Sequence, residues 1–163
     1  MNSDAAADSR AAAPGSTDTH ATRVRRATAT DAGAVRALLR NAQLPIDGVP
    51  DDLAHFLVAQ LGEMVVGAIG LEPYGDSALL RSAVVAPAVR GTGIGDQLVK
   101  ALIDNARSAG ACHLILLTTT AEGWFPRFGF ERIERGEVPA AVHASAAFRG
   151  ACPDSAIVMR VEL

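Results

Sequence analysis

Aromatic residues are scarce in this chain of 163: five Phe, one Trp and one Tyr, 4% in all. A lone tyrosine can occupy only one catalytic position. Cysteine is scarcer still, and Cys112 and Cys152 form neither a disulfide framework nor a CxxC pair. The four histidines (His20, His55, His113 and His143) show no metal-ligand spacing such as HExxH, which argues against metal catalysis. Positive charge is not in excess. The net charge is -3 and the pI is near 5.8, against the basic face that nucleic-acid binding needs. No run approaches the ~18 apolar residues of a membrane span.

What the chain has is apolar side chains: 49% of residues are hydrophobic, enough for the core of one domain. Residues 1–21 (MNSDAAADSRAAAPGSTDTHA) hold no large apolar residue after Met1 and read as a disordered tail ahead of a domain over 22–163. Asp4, Asp8 and Arg10 interrupt the alanines and Asp18 adds a further acid, unlike a secretory signal or a transit peptide. The expected compartment is the cytoplasm, with reduced cysteines.

Alternation and turn residues predict the elements. Thr22–Ala27 reads as a strand, and Thr30 and Asp31 start a helix whose stripe is Val35, Leu38, Leu39 and Ala42. Asp51-Asp52 reads as a helical turn. His55–Leu61 and Met64–Leu71 flank Gly62-Glu63 as a hairpin, Pro73, Gly75 and Asp76 form a turn, and Ala78–Val85 reads as a buried strand. A helix with Ile94, Leu98, Leu102 and Ala106 on one face runs to Gly110. Then come a strand at His113–Thr119, a short helix at Ala121–Phe128, a strand at Phe130–Ile133, a helix from Pro139 to Ala147 and a strand at Ser155–Leu163. The sum is an α/β (α+β) fold around a mixed sheet. Cys112, placed before a buried strand, reads as core.

Between strand and helix lies Arg90-Gly91-Thr92-Gly93-Ile94-Gly95. Glycines there let N–H groups converge at a helix N-terminus, which suits a diphosphate; a tight turn needing positive φ is the plainer reading. Gly95 is followed by Asp96-Gln97, so the Lys and Ser/Thr of a Walker loop are missing, and the third glycine of a GxGxxG fingerprint would fall at Asp96.

The pattern V-x-P-x-x-R-G-x-G-I-G before an amphipathic helix, with Trp124-Phe125-Pro126-Arg127-Phe128-Gly129-Phe130 downstream, resembles the GNAT family of N-acetyltransferases over residues 22–163. Leu117–Phe125, Gly129-Phe130 and Glu137-Val138-Pro139 are similar to the acetyltransferase domain of N-acetylglutamate synthases. Phe125–Phe130, Glu137–Val142 and Phe148–Pro153 are similar to small acetyltransferases of arsenic-resistance operons. The resemblance implies a mostly antiparallel sheet of six to seven strands, flanked by helices and splayed between strands four and five. It implies acetyl-CoA as co-substrate, with its diphosphate on Arg90, Gly91, Thr92, Gly93, Ile94 and Gly95. Its pantetheine would run along the strand edge near Val84 and Val85, within reach of Thr120 and Phe125, and one of those valine N–H groups would hold the oxyanion.

The expected activity is N-acetylation of a small amino-acid-like amine, with a toxic or arsenic-containing amino acid as the specific instance. Alternatives are acetylation of protein N-termini or lysines, and a non-catalytic acyl-CoA sensor. The expected partner is the small-molecule amine, not nucleic acid or membrane, and family members often form homodimers. In the family a strand-four Glu often acts as base and a helix-four Tyr as acid, but those positions hold Leu79 and Phe125 here. Glu72, Tyr74 and Thr119 are therefore the candidate catalytic groups; a surface turn is the plainer reading of the first two. Arg81, Ser82, Trp124 and Cys152 are the candidate acceptor-binding groups; a salt bridge with a neighbouring strand is an equal reading of Arg81, and an aromatic wedge in the core an alternative for Trp124. Strand alternation lets only one of Arg81 and Ser82 face the cleft. Cys152 reads as a small buried side chain or as a reactive thiol. An amine of pKa about 7.7–8.0 is roughly 10% neutral at pH 7, against under about 0.1% for lysine near 10.4, so a site without a strong base favours the less basic amine.

Overall fold

Among the described residues, seven strands and two helices form the fold: β1 (Thr22–Arg26), α1 (Ala32–Asn41), β2 (Phe56–Leu61), β3 (Met64–Tyr74), β4 (Ser77–Val85), α2 (Ile94–Ser108), β5 (His113–Thr118), β6 (Glu131–Ile133) and β7 (Ile157–Glu162). The structure, a computed structural model, describes residues 21–163; the tail expected over 1–21 lies, apart from Ala21, outside the described residues. The sheet order is β1-β2-β3-β4-β5-β7-β6, and every neighbouring pair is antiparallel except β4 with β5. No helix among the described residues is long and apolar enough to cross a membrane.

Each face of the sheet carries its own core. On one face α2 lays Ile94, Leu98, Leu102 and Ala106 over Leu57, Ile69, Leu80, Leu114 and Leu116. Those helix positions recur every three to four residues, as a one-sided stripe requires. On the other face α1 sets Val35 and Leu39 against Phe56, Val58, Ala68 and Val84. Farther along that face, Leu79, Ile115 and Val158 pack with Val138 and Val142.

Two features of β4 shape the region between these cores. Its parallel pairing with β5 lasts only from Ser77↔His113 to Leu79↔Ile115, and the strands then part. Against β3, the register passes from Gly70↔Arg81 to Ala68↔Val84, so β4 spends one extra residue there. Ser82 has φ of +57°, which places a β-bulge at this point.

The structure corrects several expected elements. Ala121–Phe128 is not a helix but ends in a 3-10 turn at Phe125–Phe128. Pro126 supplies no N–H for a helical ladder, and Gly123 weakens the stretch further. Pro139–Ala147 is likewise reduced to a 3-10 turn at Val142–Ala144, because Ser145 turns extended (ψ 153°) and its hydroxyl accepts the Phe148 N–H of a second, irregular turn. Pro73 lies inside β3, opposite Ala78, rather than in the turn. Asp51-Asp52 forms only a turn, and Cys112 is exposed because the strand starts one residue later.

Candidate functional site

Where β4 and β5 part, a cleft of about 1010 Å³ opens between the two cores. One end is formed by the glycine loop. Gly91 and Gly93 have φ of +79° and +90°, and a Cβ at either would meet nothing within 4 Å. Conformation, not crowding, therefore requires glycine at both, and Gly93 is the N-cap of α2. The loop is tied in place by Arg90 Nε donating to the Val85 carbonyl (3.0 Å) and Thr92 Oγ1 donating to the Val89 carbonyl (2.6 Å). Gly95 is different: a Cβ there would stand 3.2 Å from the Trp124 ring, so the missing side chain lets helix and aromatic wall close up.

The wall opposite β4 comes from the end of β5 and the turn after it. Thr118 Oγ1 accepts the Ala121 N–H (2.9 Å) and so caps the turn, while Thr119 and Thr120 are exposed along the cleft. Trp124 packs edge-on against Phe125 and Phe128 at centroid distances of 5.0 and 4.9 Å. Phe125, buried, reaches Phe130 in turn. Arg127 lies over the Trp124 ring and meets Asp96 at 3.6 Å, bracing this wall against the start of α2.

On the β4 side the cleft is bounded by the peptide edge itself. The Ala86 N–H is spent on the Val66 carbonyl of β3 (2.7 Å). Alternation therefore turns the Val85 N–H and C=O to the open edge, and the Val85 carbonyl meets Arg90 there. Val84 instead buries its side chain in the α1 core.

Arg81 stands between the two apolar clusters of the α1 face, with its side chain only 10% exposed. All three guanidinium nitrogens are engaged. Nε donates to Ser82 Oγ (3.0 Å), Nη1 to Glu72 Oε2 (3.0 Å) and Nη2 to the Asp47 carbonyl (2.7 Å). The expectation that only one of Arg81 and Ser82 faces the cleft fails. The bulge breaks the alternation, and both side chains line the cleft in mutual contact. Glu72 and Tyr74 lie two apart on β3 and so share the Arg81 face, yet neither lines the cleft. Tyr74 Oη donates to Glu72 Oε1 at 3.1 Å.

The structure thus draws Arg81, Ser82, Val84, Val85, the glycine loop (Thr92 aside), Thr119, Thr120, Trp124, Phe125 and Cys152 around one cleft. Glu72 and Tyr74 stand behind it. Cys152 is half-buried, and burial pushes its thiol pKa up, opposed by the charges of Arg81 and Arg135. Leu79 is buried among Ile115 and Val158. Sequence reasoning missed the α1–β2 connection, where Gln43, Leu44 and Pro45 line the cleft and Asp47 and Gly48 cover Arg81. Pro45, Gly48 and Pro50 signalled a break in the chain, but nothing local showed what the loop would cover.

Residues 52–132 match the family described as acetyltransferase (GNAT) domain. The amino-acid acetyltransferase of Ralstonia nicotianae is 32% identical over 128 residues, which cover 71% of this chain and 28% of that protein. The chain thus spans less than a third of the length of the curated relatives it matches. Among solved structures, N-acetylglutamate synthase from Neisseria gonorrhoeae, complexed with coenzyme A and N-acetyl-glutamate, superposes with a TM-score of 0.76 at 21% identity, covering 88% of this chain and 35% of that one. A Mycobacterium tuberculosis protein, Rv2747, in complex with CoA gives a TM-score of 0.73 at 25% identity, covering 86% of this chain and 99% of that one.

Proposed function

Because the chain belongs to the GNAT acetyltransferases, we propose that it transfers the acetyl group of acetyl-CoA to the amino group of a small amino acid or amino-acid-like compound. The observation that carries the substrate class is Arg81. A guanidinium offers five N–H groups in a planar fork that matches a carboxylate, and three are committed to Ser82, Glu72 and Asp47. The remaining two belong to Nη1 and Nη2, on a cleft wall that is otherwise largely apolar. An acceptor carboxylate held there lies on the same strand as the Val85 N–H, four residues on, so its amine can reach a thioester aligned on that edge.

The glycine loop suits the diphosphate of the co-substrate: free N–H groups at the start of α2, no side chain at Gly91 or Gly93, and Arg90 at the mouth. In the reaction the amine forms its bond to the thioester carbonyl carbon, the carbonyl oxygen gains charge opposite the Val85 N–H, and the C–S bond breaks with the electron pair leaving on sulfur. A thiol of pKa near 8.5 is a tolerable leaving group without an acid. Among the described residues the only carboxylate on the cleft wall is Asp96, at the loop end beside Arg127, and no histidine lines it. The amine therefore attacks in its neutral form, and the proton it sheds once the C–N bond has formed passes to water or to the departing thiolate. Positioning carries the rate, since it can exceed the 10²–10⁴-fold typical of acid–base assistance.

Turnover of acetyl-CoA against the twenty amino acids, simple amines and arsenic-containing amino acids tests the reading. The expected result is acetylation of one or a few free amino acids, with kcat/KM rising with pH up to the amine's own pKa. A bell with an enzyme-borne base limb near neutrality contradicts the water route. Binding of acetyl-CoA with no turnover on any amine favours the second reading, an acyl-CoA-binding module, for which buried Leu79 and Phe125 at the usual acid–base positions are the supporting observation.

A further inference from the structure

We infer that Glu72, Tyr74 and the Asp47-Gly48 turn are positioning residues that hold Arg81 as a preset carboxylate receptor. This inference rests on the reading of Arg81 given above. Sequence register sets the arrangement: Glu72 pairs with Leu79 across the β3–β4 ladder, which puts it diagonally beside Arg81 on the same face. Both Glu72 oxygens are occupied, one by Arg81 Nη1 and the other by Tyr74 Oη. The carboxylate therefore faces the guanidinium rather than the cleft. Tyr74 keeps its proton for this contact. Burial first, and the Glu72 charge second, push its pKa up.

The third support comes from the α1–β2 connection. The Asp47 carbonyl takes Nη2, and Gly48, with φ of +78°, lies so close that a Cβ would stand 2.9 Å from Arg81 Nη1 and 3.1 Å from Ala146 Cβ. A side chain at Gly48 would have to push the guanidinium aside. Three independent segments (β3, the Asp47-Gly48 turn and the Ser82 bulge) thus constrain one planar group that is almost shielded from water. An unheld arginine has several rotamers to lose on binding, whereas this one has lost them already. The contacts take one N–H each from Nε, Nη1 and Nη2, which leaves one further N–H on Nη1 and one on Nη2.

The test uses the best amino-acid substrate found in the panel and its α-carboxamide, which keeps the amine and removes the carboxylate charge. The parent reading expects at least a tenfold preference for the acid, erased in Arg81→Ala. The positioning inference expects Glu72→Ala to raise KM for the acid about tenfold and to shrink the acid-to-amide ratio, with the loss appearing in KM rather than kcat. Tyr74→Phe gives a smaller shift in the same direction, about two- to fivefold, and Glu72→Gln falls between. Equal affinity for acetyl-CoA by calorimetry in all variants establishes that they fold. If Glu72→Ala instead lowers kcat equally on acid and amide and removes a limb of the pH profile, Glu72 is the base and the inference is overturned. An unchanged acid-to-amide ratio in Glu72→Ala, with the ratio still lost in Arg81→Ala, also overturns it while leaving the parent reading standing. No preference for the acid in the wild-type protein defeats both.

Discussion

Asp31 shows how a single side chain can tie two elements together. Its carboxylate accepts from Arg25 Nη1 and Nη2 at 2.9 Å and from the Thr28 N–H at 2.8 Å, joining the end of β1 to the entry of α1. The Arg25 hydrogen bonds, chiefly, hold its pKa below the usual carboxylate range, against the opposing effect of burial. A lowered folded-state pKa contributes stability that is present above the ordinary value near 3.9 and is lost as pH falls through the folded value. Asp31→Asn is expected to cost about 1–3 kcal/mol at pH 7 in urea unfolding, and the difference from wild type should shrink below about pH 4. A cost that does not change with pH would show that the ionic form is not what matters. The two cysteines differ in the same local way. Cys112 is exposed, whereas burial keeps the Cys152 thiol protonated. A thiol reagent at pH 7 should modify Cys112 first, and Cys112→Ser should remove the fast phase. Fast labelling at Cys152 instead would make it the reactive thiol.

At the level of elements, β4 decides the site through two irregularities that oppose its own periodicity. The bulge at Ser82 places a non-glycine residue at φ +57° and brings Arg81 and Ser82 to one wall. The parting from β5 after Leu79 leaves the Val85 peptide unpaired on that side. The bulge was not legible, because an apolar run from Ala78 to Val85 reads as one smooth strand, whereas the parting was expected only through the family resemblance and not from the residues of β4 themselves. The glycine loop was legible: closely spaced glycines between a strand and a helix have few conformational uses. Gly70 has a third kind of role. A Cβ there would fall 2.5–2.8 Å from the Phe56 ring, which is 2% exposed and closes the α1 core. Gly70→Ala is expected to lower stability by about 1–3 kcal/mol through overpacking, with recovery in the double variant Gly70→Ala/Phe56→Leu. No recovery in thermal or urea unfolding would place the cost in the backbone instead.

For the whole molecule, the cleft joins parts that are distant in the chain: the α1–β2 loop, the edge of β4, the glycine loop, the turn after β5 and the segment around Cys152. A ligand bridging them should stabilise the fold globally. At 100 times its Kd, acetyl-CoA contributes about 2.7 kcal/mol, which for a domain of this size raises Tm by about 5–10 °C. Gly93→Val, strained at φ +90° and obstructing the N–H nest, should abolish that rise, read by thermal shift with and without acetyl-CoA. An equal rise in the variant would remove the loop from the binding site.

The sequence by itself determined the order of strands and major helices, the apolar stripes of the core and the glycine loop at the start of α2, because periodicity, glycine placement and capping act over a few residues. It also located the departures at Leu79 and Phe125, which motif position alone reveals. Helices over Ala121–Phe128 and Pro139–Ala147 were misread where Pro126 and Ser145 redirect the backbone. Only the tertiary structure decided what Glu72 and Tyr74 face and what holds Arg81. Those contacts span 9 residues to Glu72 and 34 to Asp47, and they depend on strand register, a bulge and a loop laid across from another element. Local patterns cannot encode such distances; packing does.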